Sequence, residues 1–187
     1  MLQKIKETTA YIQQCVNFEP EVGIILGSGL GNLAGEIEVV KTVSYKDIPN
    51  FPISTVEGHS GRLIFGRLGG KEVLAMQGRF HFYEGYDFEQ LTAPIRLFKC
   101  LGCKAVILTN AAGGVNWDYK PGDVMIIADQ IKLMGASPLR GKNLDEFGPR
   151  FFDVQKMYTP ELRELAKKCA AGSGLTVHEG TYFFMPG

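Results

Sequence analysis

Short apolar segments that alternate with helical segments are the feature that most restricts the fold of this chain. Val22–Leu26 and Ala105–Leu108 are uninterrupted apolar runs of strand length, and residues 88–98 between them carry apolar side chains at helical spacing. This alternation predicts an α/β fold with a mixed central β-sheet flanked by helices. Because 187 residues suit one domain with a sizeable core, we assign residues 1–187 to a single domain.

The same patterns predict the individual elements. The predicted helices are 5–16, 33–38, 88–98 and 160–171. The predicted strands are 22–26, 62–68, 71–77, 105–108, 124–128 and 176–184. Gly69 and Gly70 separate two strand-like runs, which predicts a β-hairpin. Pro94 predicts that the third helix is kinked or begins at that residue.

Charge and cysteine content indicate which partners, which cellular location and which kinds of site to expect. The 20 basic and 20 acidic side chains cancel, which disfavours nucleic acid and anionic membranes as partners and favours a small molecule. The polar N-terminal segment lacks the apolar core of a signal peptide, so we expect a cytoplasmic protein. The four cysteines are scattered, and Cys100 and Cys103 form one CxxC without the second pair that a structural zinc requires. We therefore expect no metal site.

A glycine-rich turn follows the first predicted strand, in the sequence GIILGSGLG of residues 23–31. Glycines allow successive backbone N–H groups to point at one anion, and the Ser28 hydroxyl adds a donor for a phosphate oxygen. The spacing is not that of a dinucleotide-binding fold, and the lysine of a P-loop is missing. A tight strand-to-helix turn without a ligand explains this motif equally well.

Two further segments carry histidine. His59 lies among small residues in VEGHSGRL, where it either reaches a ligand at close range or is a solvated loop residue. In QGRFHFYEGY, Arg79, His81 and Tyr83 occupy alternate positions, so an extended backbone would direct a guanidinium, an imidazole and a phenol to one face. The alternative is a cluster that only packs a loop.

The predicted strand 105–108 ends in the small residues Asn110, Ala111, Ala112, Gly113 and Gly114. Small side chains allow a ligand to lie against exposed backbone N–H and C=O groups. A tight turn is again the alternative interpretation.

The motifs GSGLG, STVEGHSGRL, QGRFHFYEGY and TNAAGG, in this order and at these separations, resemble the trimeric family of purine nucleoside phosphorylases. The resemblance runs from the first strand to the last residue. It implies phosphate-binding positions at Ser28, His59, Arg79, His81 and the backbone N–H of Ala111. It implies nucleoside-binding positions at Tyr83, Ala111, Ala112, Gly113 and Phe151. Within that set His81, His59 and Arg79 are the expected catalytic residues, and Phe151 is expected to reach the site of a neighbouring subunit in a homotrimer.

The implied activity is phosphorolysis of purine ribonucleosides and deoxyribonucleosides to the free base and the pentose 1-phosphate, in purine salvage. Inorganic phosphate would be a co-substrate, and no metal or organic cofactor is expected. The sequence stops where the family continues with residues that contact the purine, so we expect a chain lacking the C-terminal third, with little activity of its own. Three alternatives stay open. The chain could come from a methylthioadenosine phosphorylase, although those enzymes usually lack the GRFHFYEGY motif. It could also be a phosphate- or nucleoside-binding module without catalysis, or an oligomer-forming fragment without ligand affinity.

Overall fold

The computed structural model describes residues 1–53, 60–133, 135 and 137–185. Contacts within the chain group it into two units, Met1–Ala111 and Ala112–Gly187. The assignment of residues 1–187 to one domain stays a prediction.

The first unit is built on a five-stranded mixed sheet. In chain order its strands are β1 Val22–Leu26, β2 Glu38–Ser44, β3 Arg62–Leu68, β4 Lys71–Gln77 and β5 Ala105–Leu108. Their order across the sheet is β2-β3-β4-β1-β5. The β2–β3 and β3–β4 pairs are antiparallel, whereas β1 runs parallel to both β4 and β5. The predicted mixed sheet and the hairpin at Gly69 and Gly70 are confirmed.

Two α-helices belong to this unit, α1 Leu2–Cys15 and α2 Phe88–Cys100. The Asp87 side chain accepts the N–H of Gln90, and the Gln90 side chain accepts the N–H of Asp87, so a reciprocal cap fixes the start of α2. The helix therefore begins before Pro94, which lies inside it. A 3-10 helix, Gly31–Glu36, replaces most of the predicted helix 33–38.

Strands β3 and β4 are buried on both faces. On one face Leu63, Phe65, Leu74 and Met76 pack with residues of α1 and α2 in one buried cluster. On the other face the intervening residues, such as Ile64, Val73 and Ala75, pack with Ala34 and Ile37 at the end of the 3-10 helix. Since successive side chains of a strand point to opposite faces, burial on both sides explains why these strands are almost continuously apolar.

A missing side chain in β1 allows α2 to approach the sheet. A Cβ atom on Gly23 would lie 2.4 Å from the Phe98 ring, and Phe98 is completely buried. The glycine therefore sets the distance between helix and sheet at this point.

Replacing Gly23 with Ala should destabilise the first unit by about 1–3 kcal/mol, because the added methyl group has no room beside Phe98. Gly35→Ala is the matched control, since a Cβ there meets nothing within 4 Å. Urea denaturation followed by circular dichroism measures both variants. Equal free energies of unfolding for the two variants would contradict the packing argument.

The second unit contains a two-stranded parallel sheet of β6 Val124–Ile131 and β7 Val177–Phe183, with helix α3 Pro160–Ala170. Both strands and the helix were predicted, and β6 extends three residues beyond its expected end. Ion pairs tie α3 to β7, because Arg163 and Lys167 both contact the Glu179 carboxylate. At the start of the sheet, His178 Nε2 lies 2.8 Å from Asp123 Oδ2.

The Asp123 carboxylate also accepts the backbone N–H of Lys120, at 3.0 Å. This bond and the one to His178 lower the pKa of Asp123 below its usual value of 3.8. A carboxylate whose pKa is lower in the folded form stabilises that form above its unfolded-state pKa. That stabilisation is lost as the pH falls through the lowered value.

We therefore expect the start of β6 to become less protected from hydrogen exchange as the pH falls from about 5 to about 2. The probe is the Val124 amide, which donates to the Thr176 carbonyl. Asp123→Asn should reduce this pH dependence, whereas Asp118→Asn, at an exposed position of the same unit, should retain it. Protection factors that fall equally in both variants would assign the effect to other groups.

Candidate functional site

Three loops meet at one edge of the first unit's sheet. They follow β1, β4 and β5, which are neighbouring parallel strands, so their carboxyl ends share that edge. Ligands of open α/β sheets bind at this edge because the loops there present backbone groups and side chains together. The three loops carry Ser28, Arg79 with His81, and Ala111.

The loop after β1 is fixed at its start by Thr109. The Gly27 N–H donates to Thr109 Oγ1 at 2.7 Å, and the Thr109 hydroxyl donates to the Ile25 carbonyl at 2.8 Å. A Cβ on Gly27 would lie 2.4 Å from the Thr109 carbonyl oxygen, so only glycine permits this approach. Gly29 follows with φ +84°, a conformation that favours glycine. Ser28 between them is exposed.

The same loop is held at its far end by β4. Gln77 Nε2 donates to the Gly31 carbonyl at 3.0 Å, and Arg62 Nε donates to Gln77 Oε1 at 2.6 Å. Because a guanidinium only donates, the Arg62 contact identifies which end of the Gln77 amide is the oxygen. The other end must then be the donor to Gly31.

Arg79 and His81 form a connected pair after β4. Arg79 Nη1 donates to the Thr109 carbonyl at 2.8 Å, and Arg79 Nε donates to His81 Nε2 at 2.9 Å. Since Nε2 accepts, the neutral imidazole carries its proton on Nδ1, which lies 2.8 Å from Glu84 Oε1. The same Glu84 oxygen accepts the backbone N–H of His81 at 2.7 Å.

Tyr83 joins the cluster by a route that the sequence did not predict. The backbone is extended at His81, but Phe82–Glu84 is a 3-10 turn, so the expected alternation ends after His81. The Tyr83 ring nevertheless stacks on the imidazole, with centroids 4.7 Å apart and an interplanar angle of 14°. Arg79, His81 and Tyr83 are thus brought together, and the phenol is largely exposed at 67%.

Glu84 is one residue of this site that sequence reasoning missed. Its side chain is only 3% exposed, and it fixes both the ring and the backbone of His81. The available signal was its position, three residues after His81. That spacing is typical of the reciprocal cap at a helix start, in which histidine here takes the place of serine or threonine.

The remaining predicted residues are less closely tied to this cluster. Ala111 follows β5 and is exposed, two residues beyond Thr109. Ala112 and Gly113 begin the second unit and are exposed, and Phe151 in that unit is 88% exposed. His59 lies outside the residues that the structure describes. Their assignment to the site stays a prediction.

In the part of the chain that the structure describes, no three His, Cys, Asp or Glu side chains are grouped so as to hold a metal ion. In the same residues, no helix has the length and apolar character needed to cross a membrane.

The orientation of the His81 ring gives a test of this geometry. Long-range ¹H–¹⁵N NMR should find the neutral ring of His81 protonated at Nδ1, because Glu84 accepts there and Arg79 donates to Nε2. His178 is the internal reference, because its Nε2 faces the Asp123 carboxylate. Glu84→Ala should weaken the Nδ1 preference of His81 and leave His178 unchanged. An Nε2-protonated His81 in the unaltered protein would contradict the hydrogen-bond network.

Comparison with known proteins identifies the family to which this chain belongs. A family model for the phosphorylase superfamily matches residues 21–187, and the chain belongs to that superfamily. It is 51% identical over 178 residues to purine nucleoside phosphorylase 1 of Geobacillus stearothermophilus, covering 95% of this chain and 65% of that protein. It is 43% identical over 187 residues to the purine nucleoside phosphorylase of Bos taurus, covering 97% of this chain and 65% of that protein.

Solved structures agree with the sequence comparison. The crystal structure of Schistosoma mansoni purine nucleoside phosphorylase in complex with inosine superposes with a TM-score of 0.93 at 43% identity. The match covers 100% of this chain and 67% of that chain. The chain therefore spans about two thirds of the length of these relatives, and the resemblance inferred from the motifs is confirmed.

Proposed function

We propose that the protein to which this chain belongs catalyses phosphorolysis of purine ribonucleosides and deoxyribonucleosides, giving the free base and the pentose 1-phosphate. The observation that carries the proposal is that Thr109 bonds both to the loop of residues 27–31, here called the serine loop, and to Arg79. Its hydroxyl accepts the Gly27 N–H, and its carbonyl accepts from the guanidinium. Relatives named purine nucleoside phosphorylase, at 43% and 51% identity, support the choice of reaction.

Electrostatics favour an anion at this edge. Arg79 brings a permanent positive charge to this edge, and two of its hydrogen bonds, to the Thr109 carbonyl and to His81 Nε2, fix the direction of its guanidinium. We assign phosphate binding to Ser28, Arg79, His81 and the N–H of Ala111, with His59 beside them. In the structure Nε2 of His81 accepts from Arg79, so His81 supports phosphate binding by holding the guanidinium. Hydroxyl, backbone N–H and guanidinium groups are the donors that phosphate oxygens prefer. Inorganic phosphate is the co-substrate in this proposal, which needs no metal or organic cofactor.

The reaction follows from where the phosphate is held. A phosphate oxygen attacks the anomeric carbon as the bond to the purine nitrogen breaks, and the purine leaves with the bonding electron pair and takes up a proton. Positive charge that develops on the sugar is stabilised by the adjacent phosphate anion. Arg79, His81 and His59 are the proposed catalytic residues because they would hold that anion in position.

The nucleoside would lie beside the phosphate. We assign Tyr83 to the ribose, and the stacking of its ring on His81 together with its 67% exposure supports this assignment. We further assign Ala111, Ala112 and Gly113 to the nucleoside, and Phe151 to the site of a neighbouring subunit in a homotrimer. The exposure of Phe151 at 88% is consistent with a role between subunits. We also assign a cytoplasmic location, which is supported by the four scattered cysteines, all of them free in the structure.

Replacing Arg79 with Ala should weaken phosphate binding about ten- to a hundredfold, because a charged hydrogen-bond donor contributes about 1.5–3 kcal/mol. Arg67→Ala is the matched control, as Arg67 is an exposed residue of β3 paired with Glu72. Isothermal titration calorimetry with inorganic phosphate measures both variants. A coupled assay for hypoxanthine released from inosine, on the full-length gene product, measures turnover.

Phosphate dependence of hypoxanthine release would support phosphorolysis. Release without phosphate would instead indicate hydrolysis. Phosphate binding without turnover by the full-length protein would indicate a binding module. Equal phosphate affinity for the unaltered protein and the Arg79 variant would overturn the assignment of this segment.

A further inference from the structure

We propose that Thr109 and Gln77 are positioning residues that hold the loop of residues 27–31 at its two ends, so that Ser28 and Arg79 face one phosphate. The inference rests on the proposed function and adds to it two residues that do not themselves touch the substrate. It concerns how the anion site is preorganised before phosphate arrives.

Thr109 bonds to two parts of the site, the loop of residues 27–31 and the Arg79 side chain. Its hydroxyl accepts the Gly27 N–H and donates to the Ile25 carbonyl, while its own carbonyl accepts Arg79 Nη1. One residue at the end of β5 therefore sets the start of the serine loop and the direction of the guanidinium. Removing the hydroxyl would leave the N–H of the buried Gly27 without this acceptor, so the loop would shift to find another.

Gln77 fixes the other end of the loop. Its amide nitrogen donates to the Gly31 carbonyl, and its amide oxygen is held by Arg62. Gln77→Glu is therefore an informative change of almost the same shape. The carboxylate would keep the contact with Arg62, but it would place an oxygen against the Gly31 carbonyl, where two acceptors repel each other.

A loop fixed at both ends binds its ligand without first being ordered. Ordering a released loop on binding would lower the affinity, since its conformational entropy would then be lost at that step. The loss of affinity should affect phosphate, which the loop would contact, and should not affect the nucleoside. A raised KM for phosphate with an unchanged KM for nucleoside is the expected signature.

The test uses four variants of the full-length protein: Thr109→Val, Thr109→Ser, Gln77→Glu and Thr42→Val. Thr109→Val removes the hydroxyl at nearly constant volume, and Thr109→Ser retains it. Thr42 is an exposed residue of the edge strand β2 and serves as the control. Calorimetry with inorganic phosphate gives affinity, steady-state kinetics give the two KM values, and thermal unfolding confirms that each variant folds.

We expect Thr109→Val and Gln77→Glu to weaken phosphate binding by about tenfold, the effect of about one hydrogen bond. We expect Thr109→Ser to restore it and Thr42→Val to leave it unchanged. If Thr109→Val does not fold, Gln77→Glu alone decides. Unchanged phosphate affinity in the folded variants, or equal increases in both KM values, overturns the inference.

The failure of this inference is distinguishable from failure of the proposed function. If Arg79→Ala weakens phosphate binding but the folded Thr109 and Gln77 variants do not, only the positioning role is wrong. If the unaltered full-length protein binds no phosphate, the proposed function and the positioning role are both wrong.

Discussion

The close contact between Gly27 and Thr109 is the constraint on which the rest of the site depends. It joins the ends of two parallel strands, β1 and β5, and it is possible only because residue 27 has no side chain. The threonine hydroxyl then satisfies the glycine N–H, and the threonine carbonyl receives Arg79. This close approach of the two backbones, which only glycine allows, therefore fixes the positions of the serine loop and of the Arg79 guanidinium.

The strands of the first unit were predictable where both faces of the sheet are covered. Residues of β1, β3 and β4 are apolar at consecutive positions because they pack against helices on one side and the 3-10 segment on the other. Strand β2 was not predicted. It is the outermost strand on one side of the sheet, and Val43 is its one buried residue. Its charged residues give no alternating pattern of polar and apolar positions.

The candidate site shows a similar division. The motifs identified Ser28, Arg79 and His81, because glycine-rich and basic-aromatic sequences are distinctive in themselves. Thr109 and Gln77 could not be identified in that way, since their contacts depend on which strands are neighbours and on the register between them. The turn at Tyr83 was missed although the sequence carries a signal for it, because Glu84, three residues after His81, caps this turn through both the ring and the backbone of His81.

The separation of Gly27 and Thr109 along the chain has a consequence for folding. The two residues that bond through the glycine N–H are 82 positions apart, whereas the β3–β4 hairpin turns through Gly69 and Gly70 alone. Closing a long loop costs more entropy than closing a short one, so distant strand pairs form later than local hairpins. On a growing polypeptide the serine loop cannot take its final shape until residue 109 has been synthesised and β5 has joined β1. The candidate site is therefore among the last parts of the first unit's sheet to form.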